Sequence, residues 1–219
     1  MRTTRPHRLS AAVVTGLLAV ALAGCGGNVT QGGVNTYEGQ NEGTGQTAAP
    51  AQSALPFSGS EFGPACTDLP SDPADPGSMT AMTREPVGTA LSSVSMVRTF
   101  GQALRTTGLA KTLDEADAAT VFAPTAEAFG KLPEARLDAL MADRAALRDL
   151  VARHVVPDRR VTTRELASGP FTTMQKGTVE VTGGGEDFTV GGSAHIVCGS
   201  VQTSNATVYF IDTLLLPAE

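Results

Sequence analysis

The side chains best suited to metal ligation, nucleophilic attack and proton transfer near neutral pH are few in this chain: three cysteines and three histidines. Their spacing limits what they can do. Cys25, Cys66 and Cys198 lie far apart, with no Cys-x-x-Cys and no histidine pair nearby, so they do not form a four-ligand zinc site. His154 follows Leu147 and Val151 on the apolar stripe of a predicted helix. There it is expected as a hydrogen-bonded core residue rather than a catalytic base. His195 falls in a strand-like pattern and His7 in the N-terminal leader. No Gly-x-Ser-x-Gly elbow supports a serine nucleophile. The stretch from Gly183 to Gly192 lacks the Gly-Lys-Ser/Thr of a phosphate loop and the tandem nonapeptide of a calcium repeat, and reads as a glycine-rich hairpin. Asn205-Ala206-Thr207 fits a glycosylation sequon, but its place before a strand makes Asn205 a turn residue first. These readings assign no catalytic residue, no metal ligand and no cofactor.

The cysteines divide by address. Arg2, Arg5 and Arg8 precede an apolar run from Ala11 to Ala21. That run falls short of the ~20 apolar residues a transmembrane helix needs, so residues 1–24 read as an export signal. The signal ends in Leu22-Ala23-Gly24-Cys25, which resembles a bacterial lipobox, with the cysteine diacylated on sulfur and cleavage just before it. Two acyl chains suffice for stable anchoring, at ~0.8 kcal/mol per buried methylene. With Cys25 committed to lipid, Cys66 and Cys198 remain in an exported segment, where a single disulfide is expected. A bridge closing so long a loop stabilises by about 4–5 kcal/mol in the chain-entropy account.

Loss of the leader leaves 13 of the 16 basic residues against 22 acidic ones, moving the formal charge from −6 to −9. So acidic a chain is a poor ligand for nucleic acid or anionic headgroups, and membrane attachment is assigned to the acyl anchor alone. Residues 25–62 are rich in Gly, Gln, Thr, Ser and Asn, lack Lys and Arg, and show no apolar period. They are expected to be a flexible tether. Residues 63–219 have the size of one domain.

Within that domain the first half has helical periods. Pro86 opens a helix with Val87, Ala90, Leu91 and Val94; Met96, Val97, Phe100 and Leu104 mark a second, stopped at Thr107-Gly108. Thr120-Val121-Phe122 is a short strand ended by Ala123-Pro124, and Thr125 caps a helix holding Phe129. Pro133 and Asp143 start two further helices, with stripes at Leu137, Leu140 and Met141 and at Leu147, Leu150, Val151 and His154. From Phe171 onward the period is two. Strands are expected at 178–181, 188–190, 194–198, 201–203 and 206–216, split by Gly183 to Asp187, Gly199-Ser200 and Ser204-Asn205. Helices followed by antiparallel strands define an α+β class.

Three segments carry a resemblance. Thr120-Val121-Phe122-Ala123-Pro124-Thr125-Ala126-Glu127-Ala128-Phe129 resembles the first conserved box of fasciclin (FAS1) domains. Ala206-Thr207-Val208-Tyr209-Phe210-Ile211-Asp212-Thr213-Leu214-Leu215-Leu216-Pro217 is similar to the second, and Leu150 to Val156, with His154, to the central Tyr-His segment. The segments around Cys66 and Cys198 resemble the paired cysteine segments of mycobacterial fasciclin antigens, one branch of which is secreted and the other a cell-surface lipoprotein; Cys25 sides with the second. The resemblance implies a fasciclin fold of helices packed on a mostly antiparallel sheet, with a Cys66–Cys198 bridge. It also gives Thr120, Phe122, Pro124, Thr125, Phe129, His154 and Asp212 structural roles. Two positions depart from the family pattern: Ala126 replaces an asparagine, and Arg153 replaces the tyrosine of Tyr-His. Integrin attachment, linked to that tyrosine in animal relatives, is therefore not carried over.

The expectation for function is a lipid-anchored, extracytoplasmic adhesion or interaction module of a high-GC actinobacterium, not an enzyme. Its domain is monomeric, and its partners are the membrane through Cys25 and a surface protein or glycan. The alternatives are a carrier or sensor for a small apolar or glycan ligand and, further off, an envelope hydrolase.

Overall fold

The computed structural model describes residues 60–216. The leader, Cys25, most of the tether and Pro217 lie outside them.

The helices form where local signals place them, and their ends are held by distant partners. Ser78 accepts the Ala81 N–H to start α1 (Met79–Met82). Pro86 has no side-chain acceptor for the next helix, α2 (Val87–Ser93). Asp114 supplies it instead: its carboxylate accepts from the Thr89 N–H and hydroxyl at 3.0 and 2.9 Å. A 3₁₀ turn, Ser95–Val97, separates α2 from α3 (Arg98–Thr107), so Val94 and Met96 fall between helices. Gly108, at φ 76°, ends α3 and at once begins α4 (Leu109–Asp114). Thr107-Gly108 stops α3 as its sequence implies, and the left-handed glycine is also a corner between two helices.

Strand β1 (Ala119–Pro124) leads into Thr125, whose hydroxyl accepts the Ala128 N–H to cap α5 (Ala126–Gly130). Next come α6 (Glu134–Ala142), which contains no fully buried residue, and α7 (Arg144–Arg153), capped by Asp143 through the Ala145 and Ala146 N–H groups. The remaining elements are β2 (Val155–Pro157), a 3₁₀ helix (Thr163–Ser168) opened by a Thr162–Glu165 capping box, β3 (Phe171–Thr172), β4 (Thr178–Val179), β5 (Val181–Gly184), β6 (Asp187–Val190), β7 (Ala194–Gln202) and β8 (Ala206–Ile211).

Six strands form one sheet in the order β2-β1-β8-β7-β6-β5, while β3 and β4 pair separately. Every pairing is antiparallel except β1–β8, which runs parallel from Ala119↔Ala206 to Pro124↔Ile211. The expected break at Gly199-Ser200 is instead a pair of register shifts inside the single strand β7. Pairing with β8 continues on both sides, so bulges absorb the extra residues. Strand β8 ends at Ile211 rather than Leu216, because Asp212 turns the chain by accepting the His195 N–H at 2.8 Å.

Every residue of β1 and β8 but one is apolar or threonine, and all are buried, because the central strands are covered on both faces. Alternate residues serve two cores. Val121, Ala123, Val208 and Phe210 meet the helices through Leu91, Phe100, Leu104, Phe129 and Leu147. Phe122, Tyr209 and Ile211 meet Val161, Leu166, Phe171, Phe188 and Val190 on the other face. Phe62, placed above at the end of the tether, belongs to this second core. Its backbone exchanges hydrogen bonds with Gly199 at 3.3 and 2.7 Å. Its ring packs 5.6 Å from Phe188 and 6.4 Å from Tyr209. A Cβ at Gly199 would lie 2.3 Å from that ring, so the glycine makes the contact possible. Cys66, on the 3₁₀ turn Pro64–Asp68, is joined to Cys198 of β7 by a disulfide, tying this N-terminal arm to the sheet.

Candidate functional site

The three fasciclin-like segments, far apart in sequence, meet at His154. Its position at the end of α7 buries the imidazole completely and sets it 5.7 Å from the Phe100 ring of α3. Nδ1 lies 2.8 Å from the Leu150 carbonyl, and Nε2 accepts the Leu215 N–H at 3.0 Å. A carbonyl only accepts and an amide only donates, so these partners select the neutral tautomer with the proton on Nδ1. The His154 main-chain carbonyl accepts the Phe122 N–H of β1 at 2.9 Å. One residue thus fastens α7, β1 and the segment after β8.

Burial lowers the His154 pKa to about 4; the Leu150 hydrogen bond opposes the shift, and the charge of Arg153 adds to it. Both ring nitrogens are committed to the scaffold. The imidazole has no free lone pair with which to take a substrate proton, and its surroundings are protein on every side.

The other singled-out residues are also placed as framework. The Thr120 hydroxyl donates to the Arg159 carbonyl at 2.7 Å and accepts the Val161 N–H at 2.8 Å, holding that loop against β1. Phe122 stacks 5.8 Å from Tyr209, whose hydroxyl donates to the Val161 carbonyl at 2.8 Å. Burial pushes the Tyr209 pKa well up. Pro124 is the buried end of β1, and Phe129 is buried against the helices. The Thr125 N–H donates to Ile211 at 3.0 Å, joining the first and last segments. Asp212 accepts from His195 N–H, from the Thr213 hydroxyl at 3.0 Å and from Lys131 Nζ at 3.0 Å. Partial burial raises its pKa, but those donors outweigh it and hold the carboxyl below its ordinary value.

Two framework residues escaped the sequence reading. Asn205 is more than a turn residue: its Oδ1 accepts the Val87 N–H at 2.9 Å, while Nδ2 donates to Leu113 and Ala116 at 2.7 and 2.9 Å. It locks the β7–β8 turn to the start of α2 and the end of α4. Arg160 donates to the carbonyls of Ser204, Thr203 and Ala206 and to Gln202 Oε1, bracing the same hairpin from the other side. Neither role follows from neighbours in sequence. No group of His, Cys, Asp and Glu that could hold a metal occurs among the described residues. No described helix is long and apolar enough to cross a membrane.

The surface offers clefts instead. One, of about 470 Å³, lies between α6 and α7 and is lined by Leu132, Leu140, Leu150 and Leu216, with Arg136, Arg153, Asp143 and Asp149 at its borders. Leu216 is the large apolar side chain most exposed among the described residues. A second, of about 610 Å³, lies at the bulge of β7.

The described residues form a two-sided sheet wedge fastened at His154 and edged by open clefts. The fasciclin domain family matches residues 95–217, and the chain belongs to that family. The cell surface glycolipoprotein MPB83 of Mycobacterium bovis is 39% identical over 151 residues, 67% of this chain and 67% of that protein. The immunogenic protein MPB70 of Mycobacterium bovis is 37% identical over 165 residues, 73% of this chain and 83% of that protein. A rabbit relative, transforming growth factor-beta-induced protein ig-h3, is 33% identical over 119 residues, 17% of its own length. Among solved structures, the FAS1 domain pair of the insect cell adhesion molecule fasciclin I shares the fold. Its TM-score is 0.51 at 16% identity, covering 63% of this chain and 52% of that one.

Proposed function

We propose that this protein is a lipid-anchored extracytoplasmic interaction module, held to the membrane by acyl chains on Cys25 and presenting the fasciclin domain to a surface protein or glycan. The observation that carries the reading is the commitment of His154: the buried base sits in a junction of three chain segments, with both ring nitrogens used. Membership of the fasciclin family and relatives named for the cell surface and for cell adhesion support the same direction. The lipobox-like Leu22-Ala23-Gly24-Cys25 supports the anchor. On this reading the domain works without catalysis and as a monomer.

The leucine-lined cleft between α6 and α7 favours one second reading, a carrier or sensor for a small apolar ligand, since its size falls in the ~300–1,000 Å³ range of such sites. Two experiments test the proposal. Wild-type protein should carry acyl mass and partition into detergent, and Cys25→Ser should do neither; equal partition without acyl mass removes the anchor. The full chain should capture a specific partner from intact envelope and turn over nothing in a hydrolase screen; turnover lost in a folded His154→Gln variant replaces the module with an enzyme.

A further inference from the structure

The cleft at the β7 bulge differs in charge from the rest of this acidic chain. Arg160 and Arg164 line it together with the hydroxyls of Thr162, Ser200 and Thr207, and no carboxylate does. The neighbouring Arg159 shows the contrast. It is neutralised by Glu165 at 3.0 Å and lies 5.5 Å over the Phe171 ring. Arg160 and Arg164 have no acidic partner within ion-pair distance among the described residues. Arg160 is held rigidly nonetheless. Its Nη2 lies 2.7 Å from the Thr203 carbonyl, 3.0 Å from that of Ala206 and 3.1 Å from Gln202 Oε1, and its Nη1 3.3 Å from the Ser204 carbonyl, all neutral acceptors that orient the guanidinium without cancelling its charge. A fixed, half-buried cation without a counter-ion is an incomplete arrangement that an anion would complete.

The backbone points the same way. Ser200 takes φ 62°, in the left-handed region that non-glycine residues avoid, at the register shift between Cys198 and Val201. A bulge of this kind re-aims a side chain, and here it brings the Ser200 hydroxyl to the cleft wall. Backbone strain of this sort gathers at binding sites, where the surrounding structure holds it in place. The cleft volume, about 610 Å³, suits a ligand of one or two sugar rings.

From the unpaired Arg160 and Arg164, the hydroxyl-lined wall and the strained Ser200, we infer that this cleft binds a sugar carrying an oxyanion, as a carboxylate or a phosphate ester. Arg164 takes the oxyanion through paired N–H donors and Arg160 adds its charge, while the hydroxyls of Thr162, Ser200 and Thr207, which donate to Glu165, Ser60 and Gln202, accept from ring hydroxyls. The inference rests on the interaction-module reading and names the chemistry of its partner.

Titration calorimetry on the full chain tests it with four probes: a digalacturonate, its methyl ester, glucose 6-phosphate, and inorganic phosphate alone. At least one of the two charged sugars should bind at least tenfold more tightly than both the ester and phosphate. Whichever charged sugar binds better identifies a uronate or a phosphosugar as the source. Arg164→Gln should weaken binding at least tenfold, and Arg144→Gln, on the first turn of α7, should leave it unchanged. Because Arg160 braces a hairpin, Arg164→Gln is the deciding variant. No binding of either charged sugar, an ester that binds as well, phosphate that binds as well, or affinity undiminished in Arg164→Gln each overturns the inference. Envelope capture that survives Arg164→Gln sinks the sugar site while leaving the module reading standing; capture lost in both proteins sinks the module reading itself.

Discussion

Substituting His154 with glutamine and following stability as the solution is acidified isolates the one buried imidazole at the junction of the three family segments. Its pKa is lowered from 6.5 to about 4 in the folded protein, chiefly by burial. As pH falls, the unfolded chain therefore takes up a proton before the folded one does, and protonation draws the equilibrium toward unfolding. The sign follows directly: the neutral ring's contribution is complete above about pH 6.5, declines below it, and is lost by about pH 4. At 1.36 kcal/mol per pKa unit the full loss is about 3 kcal/mol, of which about 2 kcal/mol falls between about pH 7 and pH 4.5. Because the chain contains no tryptophan, urea unfolding is best followed by circular dichroism. At neutral pH His154→Gln should be less stable, since any partner of Leu150 and Leu215 it fails to replace leaves a buried group unsatisfied at ~1–3 kcal/mol each. The informative quantity is the gap between the two proteins, from which the titration of every other group cancels. That gap should shrink by about 2 kcal/mol on acidification. A gap that stays constant from pH 7 to pH 4.5 would refute the placement of a neutral, doubly bonded imidazole in the core.

Three further perturbations have defined outcomes. Asn205→Ala removes partners from the Val87 N–H and from the Leu113 and Ala116 carbonyls, and should lower stability by roughly 2–4 kcal/mol in urea unfolding; a loss no larger than that of a surface alanine substitution would show that the amide does not hold the hairpin to the helices. Gly199→Ala puts a methyl group into the Phe62 ring and should expel it, at about 2–3 kcal/mol of lost burial. Limited proteolysis should then cut near residue 62, and an unchanged digestion pattern would contradict the packing. Cys66→Ala should lower stability by about 2–5 kcal/mol relative to oxidised wild type, and thiol reagents should label Cys66 and Cys198 only after reduction; labelling of the native exported protein would remove the bridge.

The local signals carried as far as their range allows. Thr125 and Asp143 could be read as helix caps because the groups they satisfy lie two or three residues away, a distance set by helix geometry alone. The apolar stripe that put His154 in the core was likewise visible from spacing, since one face of α7 must be buried whatever it packs against. The short apolar runs of β1 and β8 could be identified as strands, and as family boxes. Their side-by-side parallel pairing could not, because it joins segments separated by most of the domain. From spacing alone Gly199-Ser200 reads as a strand break, since glycine and serine look alike in a turn and in a bulge when the partner strand is unknown. Most informative are the polar residues whose partners are remote. Asp114, the last residue of α4, caps the start of α2, Asn205 bonds residues far upstream, and Arg160 has no carboxylate partner while Arg159 does. The sequence by itself determined the Thr125 and Asp143 helix caps, the apolar periods and the family to which they belong, because each is written in neighbouring residues. Only the tertiary structure decided which donor meets which acceptor, and so which charge is spent on the scaffold and which is left facing a cleft. Those outcomes depend on distances between elements that chain topology, rather than local spacing, sets.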